Sequence, residues 1–169
     1  MTKAGDKMKA LSIRQPWASL IIYGIPWLES VSCEDGVSTR LEDTGKVIFK
    51  NIENRRWSIP KSFKLPQRVY IHTAKRDDDF DSSFEWLLRL LRGAYGYILT
   101  HYSKGIPRGA LIGEVDVIDC VAKSDNPWFV GPYGFVLANP TAYKEPIPCK
   151  GKLGFFEPDI KAGALNDKG

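Results

Sequence analysis

Apolar residues along this chain fall into short runs broken by proline, glycine and acidic turns, with two stretches of helical spacing. Lys9 to Ile13 reads as a strand. Pro16, Trp17, Leu20 and Ile21 followed by Gly24 read as a short helix with proline in its first turn and glycine past its end. Residues 25–46 have no helical period and carry Gly36 and Gly45, which predicts an inserted loop with a short hairpin. Such an insertion suits a lid or a specificity element, and equally a tolerated surface excursion, because long loops cost little extra closure entropy.

Val47-Ile48-Phe49 leads into a charged cluster, and Arg68 to Thr73 has the β-branched and aromatic content of a buried strand. Ser82 and Glu85 form a capping-box pattern, with Phe84, Leu87, Leu88 and Leu91 at helical spacing and Gly93 as a stop, which predicts a second helix. Ala110 to Cys120 is the longest strand candidate. Residues 134–137 and 153–156 add two more, separated by Pro140, Pro146 and Pro148 in expected turns. The implied fold is of the α+β class: a small mixed β-barrel or strongly curved sheet with two or three short flanking helices.

At 169 residues with 43% hydrophobic content the chain fills one core. Residues 8–157 form the expected domain, with residues 1–7 as a leader and 158–169 as a tail. Residues 25–46 carry Glu29, Glu34, Asp35, Glu42 and Asp43 against Arg40 and Lys46, a net of −3 in a chain of +4, so the remainder carries +7. Cys33, Cys120 and Cys149 lie far apart with only His72 and His101 to help, so no metal site, disulfide framework or cofactor is expected. The expected home is the reducing cytoplasm, and no apolar run has the length needed to cross a bilayer. The oligomeric state leaves no mark in the sequence.

The densest chemistry lies at Lys50-Asn51-Ile52-Glu53-Asn54-Arg55-Arg56-Trp57. In an extended chain Asn51, Glu53, Arg55 and Trp57 share one face, and Lys50, Ile52 and Asn54 the other. Arginine forks and aromatic planes are how proteins grip bases and phosphates, and a solvated strand edge is the plain alternative. Trp57 is the stacking candidate, whereas Trp17 is expected to pack under the first helix. Glu114, midway along an apolar strand with Ile112 expected on its face, requires a partner, for which Lys50 or Arg55 is expected.

Leu11-Ser12-Ile13-Arg14-Gln15-Pro16-Trp17-Ala18, Lys50 to Arg55, Ile71-His72-Thr73-Ala74-Lys75, Ile112-Gly113-Glu114-Val115 and Gly131-Pro132-Tyr133-Gly134 together resemble the ASCH domain family, named for a homology region of a human transcription coactivator. Its hallmark is Gly-x-Lys-x-x-Glu-x-Arg. This chain keeps Lys50, Glu53 and Arg55 but has Ile48 in the glycine's place, with Gly24, before the insertion, as the displaced glycine. The resemblance implies a barrel similar to the PUA domain of RNA-modifying enzymes, with a cleft for RNA, a nucleotide or a modified nucleoside, and DNA as a further candidate.

In a binding module Arg14, Lys50, Arg55, Arg56 and Lys75 would meet phosphates, Gln15, Trp17, Trp57 and Tyr133 would line the cleft, and Glu53 or Glu114 would read base edges. In a hydrolase acting on N-acylated cytosine nucleosides, Lys50 would be the base and Glu114 a partner. Glu53 stands where such enzymes carry threonine, and as a nearby anion it is expected to raise the lysine's pKa. In a ribonuclease, Lys50 would draw a proton from a 2′-hydroxyl, with His72 or Lys75 as acid. The sequence leaves catalysis open.

Overall fold

The computed structural model describes residues 7–77, 107–161 and 163–165. The elements run β1 (Ala10–Gln15), α1 (Trp17–Ile22), β2 (Ile25–Ser32), β3 (Thr39–Ile48), β4 (Ile52–Arg55), β5 (Gln67–Asp77), β6 (Ala110–Val121), β7 (Tyr133–Pro148) and β8 (Phe155–Phe156). Six strands form one sheet in the order β4, β7, β6, β5, β1, β8, while β2 and β3 pair only with each other. The large sheet curls into a half-barrel. Register shifts in the β5/β6 and β6/β7 ladders mark where it bends, since each bulge adds twist. All of its pairings are antiparallel except β1 with β5.

The main core fills the concave side with Leu11, Ile13, Ile21, Ile71, Ile112, Val115, Val117 and Phe135, and α1 closes it with Ala18 and Ile22. Gln15 steers the helix: its Oε1 accepts the Ser19 N–H at 3.1 Å, satisfying a first-turn donor that Pro16 at the N-cap leaves without a side-chain acceptor. A second cluster on the outer face joins Ala10, Tyr70, Leu111, Tyr143 and Phe156, with Ile160 and Leu165 of the C-terminal segment packed on it.

Three expectations change. The insertion is a two-stranded ribbon, its strands paired from Ile25 with Ile48 to Ser32 with Thr39. Pro140, Pro146 and Pro148 lie within the long β7 instead of in turns, and Asn139, at φ 51°, marks a local departure from strand geometry. Among the described residues α1 is the one helix, where two or three were expected; the helix expected at 82–93 lies outside them. Among them, too, no helix is long and apolar enough to cross a membrane.

Candidate functional site

β4 is one edge of the half-barrel and β1 lies near the other. Among the described residues, β8 pairs with β1 at Ala10 and Leu11. Arg55, the last residue of β4, reaches across and donates from Nη2 to the Ser12 carbonyl at 2.8 Å. The same Nη2 lies 3.1 Å from Glu53 Oε1. Glu53 stands opposite Phe135 in the β4/β7 ladder, and because paired residues share a face, Glu53 and Arg55 point with Phe135 toward the core side.

Lys50 precedes β4 and turns back toward it, which period-two alternation from the strand does not anticipate. Its backbone N–H bonds to the Leu20 carbonyl of α1 at 3.0 Å. Its Nζ donates to the Ile52 carbonyl and, at 2.8 Å, to Glu53 Oε2. The ammonium stands 5.9 Å from the centre of the Trp17 ring, within cation–π range. Lys50 is 4% exposed, and burial pushes its pKa below the ordinary lysine value, outweighing the attraction of Glu53, while Arg55 pushes the same way. Glu53 does raise this pKa as expected, but desolvation is the larger effect and the net shift is downward.

One Arg55 donor stands out. Its Nε is buried and has no hydrogen-bond partner among the described residues. Side-chain donors in such places are ordinarily satisfied, so an unpaired one beside a buried ammonium marks a place where an acceptor belongs.

Glu114 is not part of this group. The β6/β7 register shift between Leu111 and Gly113 separates it from Ile112: Ile112 enters the main core, and Glu114 turns to the outer face. There it accepts from Tyr143 Oη at 2.5 Å and Arg68 Nε at 3.0 Å. Arg68 Nη1 also reaches Asp116 Oδ1 at 2.9 Å and the Asn139 carbonyl at 3.0 Å, and its Nη2 reaches Thr141 Oγ1 at 2.6 Å. Lys50 and Arg55 find other partners than the one expected.

The remaining expected residues divide between core and rim. Trp57 packs edge-on against Phe135 at 5.2 Å and Phe155 at 5.7 Å, so it belongs to an aromatic cluster and is not an open stacking plane. Gln15, 1% exposed, is spent on Ser19 and the Pro107 carbonyl. His72, equally buried, lies 2.9 Å from Ser12 Oγ through Nδ1 and 3.1 Å from the Cys149 carbonyl through Nε2, so Nε2 must carry the proton. Burial lowers its pKa, and a neutral, fully bonded imidazole is not the acid once expected of it. Arg14, Arg56 and Lys75 are exposed, and Tyr133, half-buried, pairs with Arg55 across the β4/β7 ladder.

Asn54 pins the neighbouring loop, accepting from the Val130 and Gly131 N–H groups at 2.8 and 3.1 Å and donating to the Trp128 carbonyl at 2.9 Å. Asn51 Oδ1 accepts from Asn126 of that loop. Sequence reasoning did not single out Ser12, because its contribution is a backbone carbonyl, nor Arg68, whose partners come from two other strands. Among the described residues no group of three His, Cys, Asp or Glu side chains is placed to hold a metal ion.

No protein-family model matches the chain. It is 27% identical over 160 residues to activating signal cointegrator 1 of Homo sapiens, and 27% identical over 164 residues to the Mus musculus protein of that name. Each alignment covers 89% of this chain and 22% of the relative, so the chain spans about a fifth of the length of the curated proteins it matches.

Proposed function

We propose that this chain is an ASCH-type, PUA-like domain that recognises RNA, a nucleotide or a modified base at the site built from Lys50, Glu53, Arg55 and Trp17. The observation that carries the reading is the Arg55 guanidinium, fixed by Ser12 and Glu53 yet holding a buried Nε without a protein acceptor. A ligand carbonyl, ring nitrogen or phosphate oxygen supplies that acceptor after a small rearrangement, and Lys50 adds positive charge beside it. The similarity to proteins named activating signal cointegrator 1 supports the ASCH resemblance.

A second reading, a small hydrolase acting on an N-acylated nucleoside or on RNA, is favoured by the lowered proton affinity of Lys50. A neutral amine could take a proton from water or a 2′-hydroxyl, and Arg55 would stabilise the developing negative charge. Glu114 has no part in this version, since it is engaged on the outer face.

Mass spectrometry of the protein with short single-stranded RNA, nucleoside monophosphates and N-acylated nucleosides tests both. Lys50→Met and Arg55→Ala should each weaken binding about tenfold or more, the loss expected for a charge-assisted hydrogen bond. Folded variants that bind as the unsubstituted protein does would overturn the site. A Lys50-dependent product would select the hydrolase.

A further inference from the structure

The β2/β3 ribbon leaves the body at Gly24 and returns at Ile48. Gly24 has φ +66°, and a Cβ there would stand 2.6 Å from Val47 Cγ1 and 2.7 Å from the Ile48 carbonyl oxygen. The two ends of the ribbon therefore touch, and the ribbon is an excursion from one point on the body. That point adjoins the site: β3 ends two residues before Lys50, whose backbone is tied to α1 at Leu20, just before Gly24.

The ribbon's charge opposes that of its surroundings. Its net of −3 over residues 25–46 stands against +7 for the rest of the chain. Glu29, Glu34, Asp35, Glu42 and Asp43 are all exposed. Arg40 is engaged by Glu42 at 2.8 Å. Glu29 and Glu42 also stand directly opposite each other, an arrangement that weakens a strand pair.

We propose that this ribbon is an electrostatic length filter, which admits a nucleoside or short nucleotide to the Lys50 site and disfavours a polynucleotide. The inference rests on the site reading above and narrows its ligand class. Asp43 lies seven residues before Lys50, roughly 20 Å of extended chain, well beyond the Debye length of about 8 Å at physiological salt. A single phosphate at Arg55 is screened from the ribbon carboxylates. Because the ribbon's root adjoins Lys50, a longer strand that leaves the site on that side carries further phosphates past the ribbon, and repulsion grows with each one inside that screening distance.

The test is a variant of this chain carrying Glu29→Gln, Glu34→Gln and Asp43→Asn, which brings the ribbon from −3 to neutral. It leaves the Arg40 and Glu42 pair intact, and Asp35 still accepts from the Val37 and Ser38 N–H groups. Affinities for uridine monophosphate and for a single-stranded uridine oligomer of about ten nucleotides are measured at about 50 mM and about 500 mM salt. The variant should bind the oligomer about tenfold tighter at low salt, lose that gain at high salt, and change less than about twofold toward the mononucleotide. The gain should vanish when Lys50→Met is added. An equal gain for both probes, or a gain that survives Lys50→Met, is general surface charge and overturns the filter alone. A protein that binds neither probe in a Lys50-dependent way overturns the site reading, and the filter with it.

Discussion

Replacing Lys50 with methionine should remove a pH dependence of stability while changing stability little near neutrality. The ammonium is 4% exposed, and taking an ion out of water costs several kcal/mol even after relaxation. Glu53 and the Ile52 carbonyl offset only part of that cost, so the lysine pKa falls below its ordinary 10.5. Because the fold favours the neutral amine, the unfolded chain binds more protons between the depressed native value and 10.5. Stability therefore rises with pH across that window, is fully present above 10.5, and has lost this contribution once pH falls below the native value. The slope can reach about 1.4 kcal/mol per pH unit inside the window.

Methionine fills a similar volume but leaves the Ile52 carbonyl without its ammonium donor, a loss of about 1–3 kcal/mol, set against relief from burying a charge. Glu53 keeps Arg55. Urea unfolding of both proteins at steps between about pH 7 and about pH 10 gives the difference curve in which the linkage appears. Tyr23, Tyr70, Tyr143 and Cys149, whose pKa values burial raises, act in the opposite direction but are common to both proteins and cancel in the difference. A difference that is flat with pH, or that falls, refutes the claim that burial outweighs Glu53.

Three other perturbations separate the parts of the molecule. Glu53→Gln leaves Lys50 and Arg55 as two close cations without their counter-charge and should cost about 3–5 kcal/mol in urea unfolding, together with ligand binding. Arg68→Met strips Glu114 and Asp116 of their cation; with Arg68 partly exposed the cost should be about 2 kcal/mol, and ligand affinity should not move. A loss of affinity there would mean that the outer-face cluster belongs to the binding site. His72→Gln should flatten the acid limb of the stability profile: the buried imidazole has a lowered pKa, so its contribution is present above the ordinary 6.5 and is lost as pH falls toward the native value. Persistence of the full acid limb in the variant would assign it to other groups.

Local rules sufficed where each side chain's environment follows from its own segment. The first helix, with proline before and glycine after, and the strands around Ile71 and Val115 follow from spacing and β-branched content alone. The sharing of a face by Glu53 and Arg55 was equally legible, because β4 is regular over its four residues. The rule failed where the strand is irregular. One register shift between Leu111 and Gly113 sends Ile112 inward and Glu114 outward, and a single displaced residue inverts every face assignment that follows it. Lys50 escaped the rule for a related reason, since it lies just before β4 and its side chain doubles back onto Glu53. The prolines of β7 were misread because proline has no N–H to donate to a ladder, yet a strand this long, interrupted at Asn139, can hold them where no donor is needed.

The two arginine clusters show why charge density in a sequence is a weaker guide to function than donor accounting in a structure. Arg68 is surrounded by two carboxylates, a carbonyl and a threonine hydroxyl, and all three of its nitrogens donate. With four of its five N–H groups spent, it locks three strands together. Arg55 has a single carboxylate neighbour, shared with Lys50, and its contacts are made through one nitrogen. Its buried Nε is left over, on a side chain that runs from the edge strand β4 to the Ser12 carbonyl of β1. An unpaired buried donor costs about 1–3 kcal/mol, a penalty that an apolar side chain at position 55 would avoid. Two cations sharing one anion, with Lys50 and Glu53 buried, add to that cost. A recognition site accepts such penalties because the arriving ligand removes them, and a structural brace gains nothing from them; that contrast is why the proposed ligand site is drawn at Arg55 and not at Arg68.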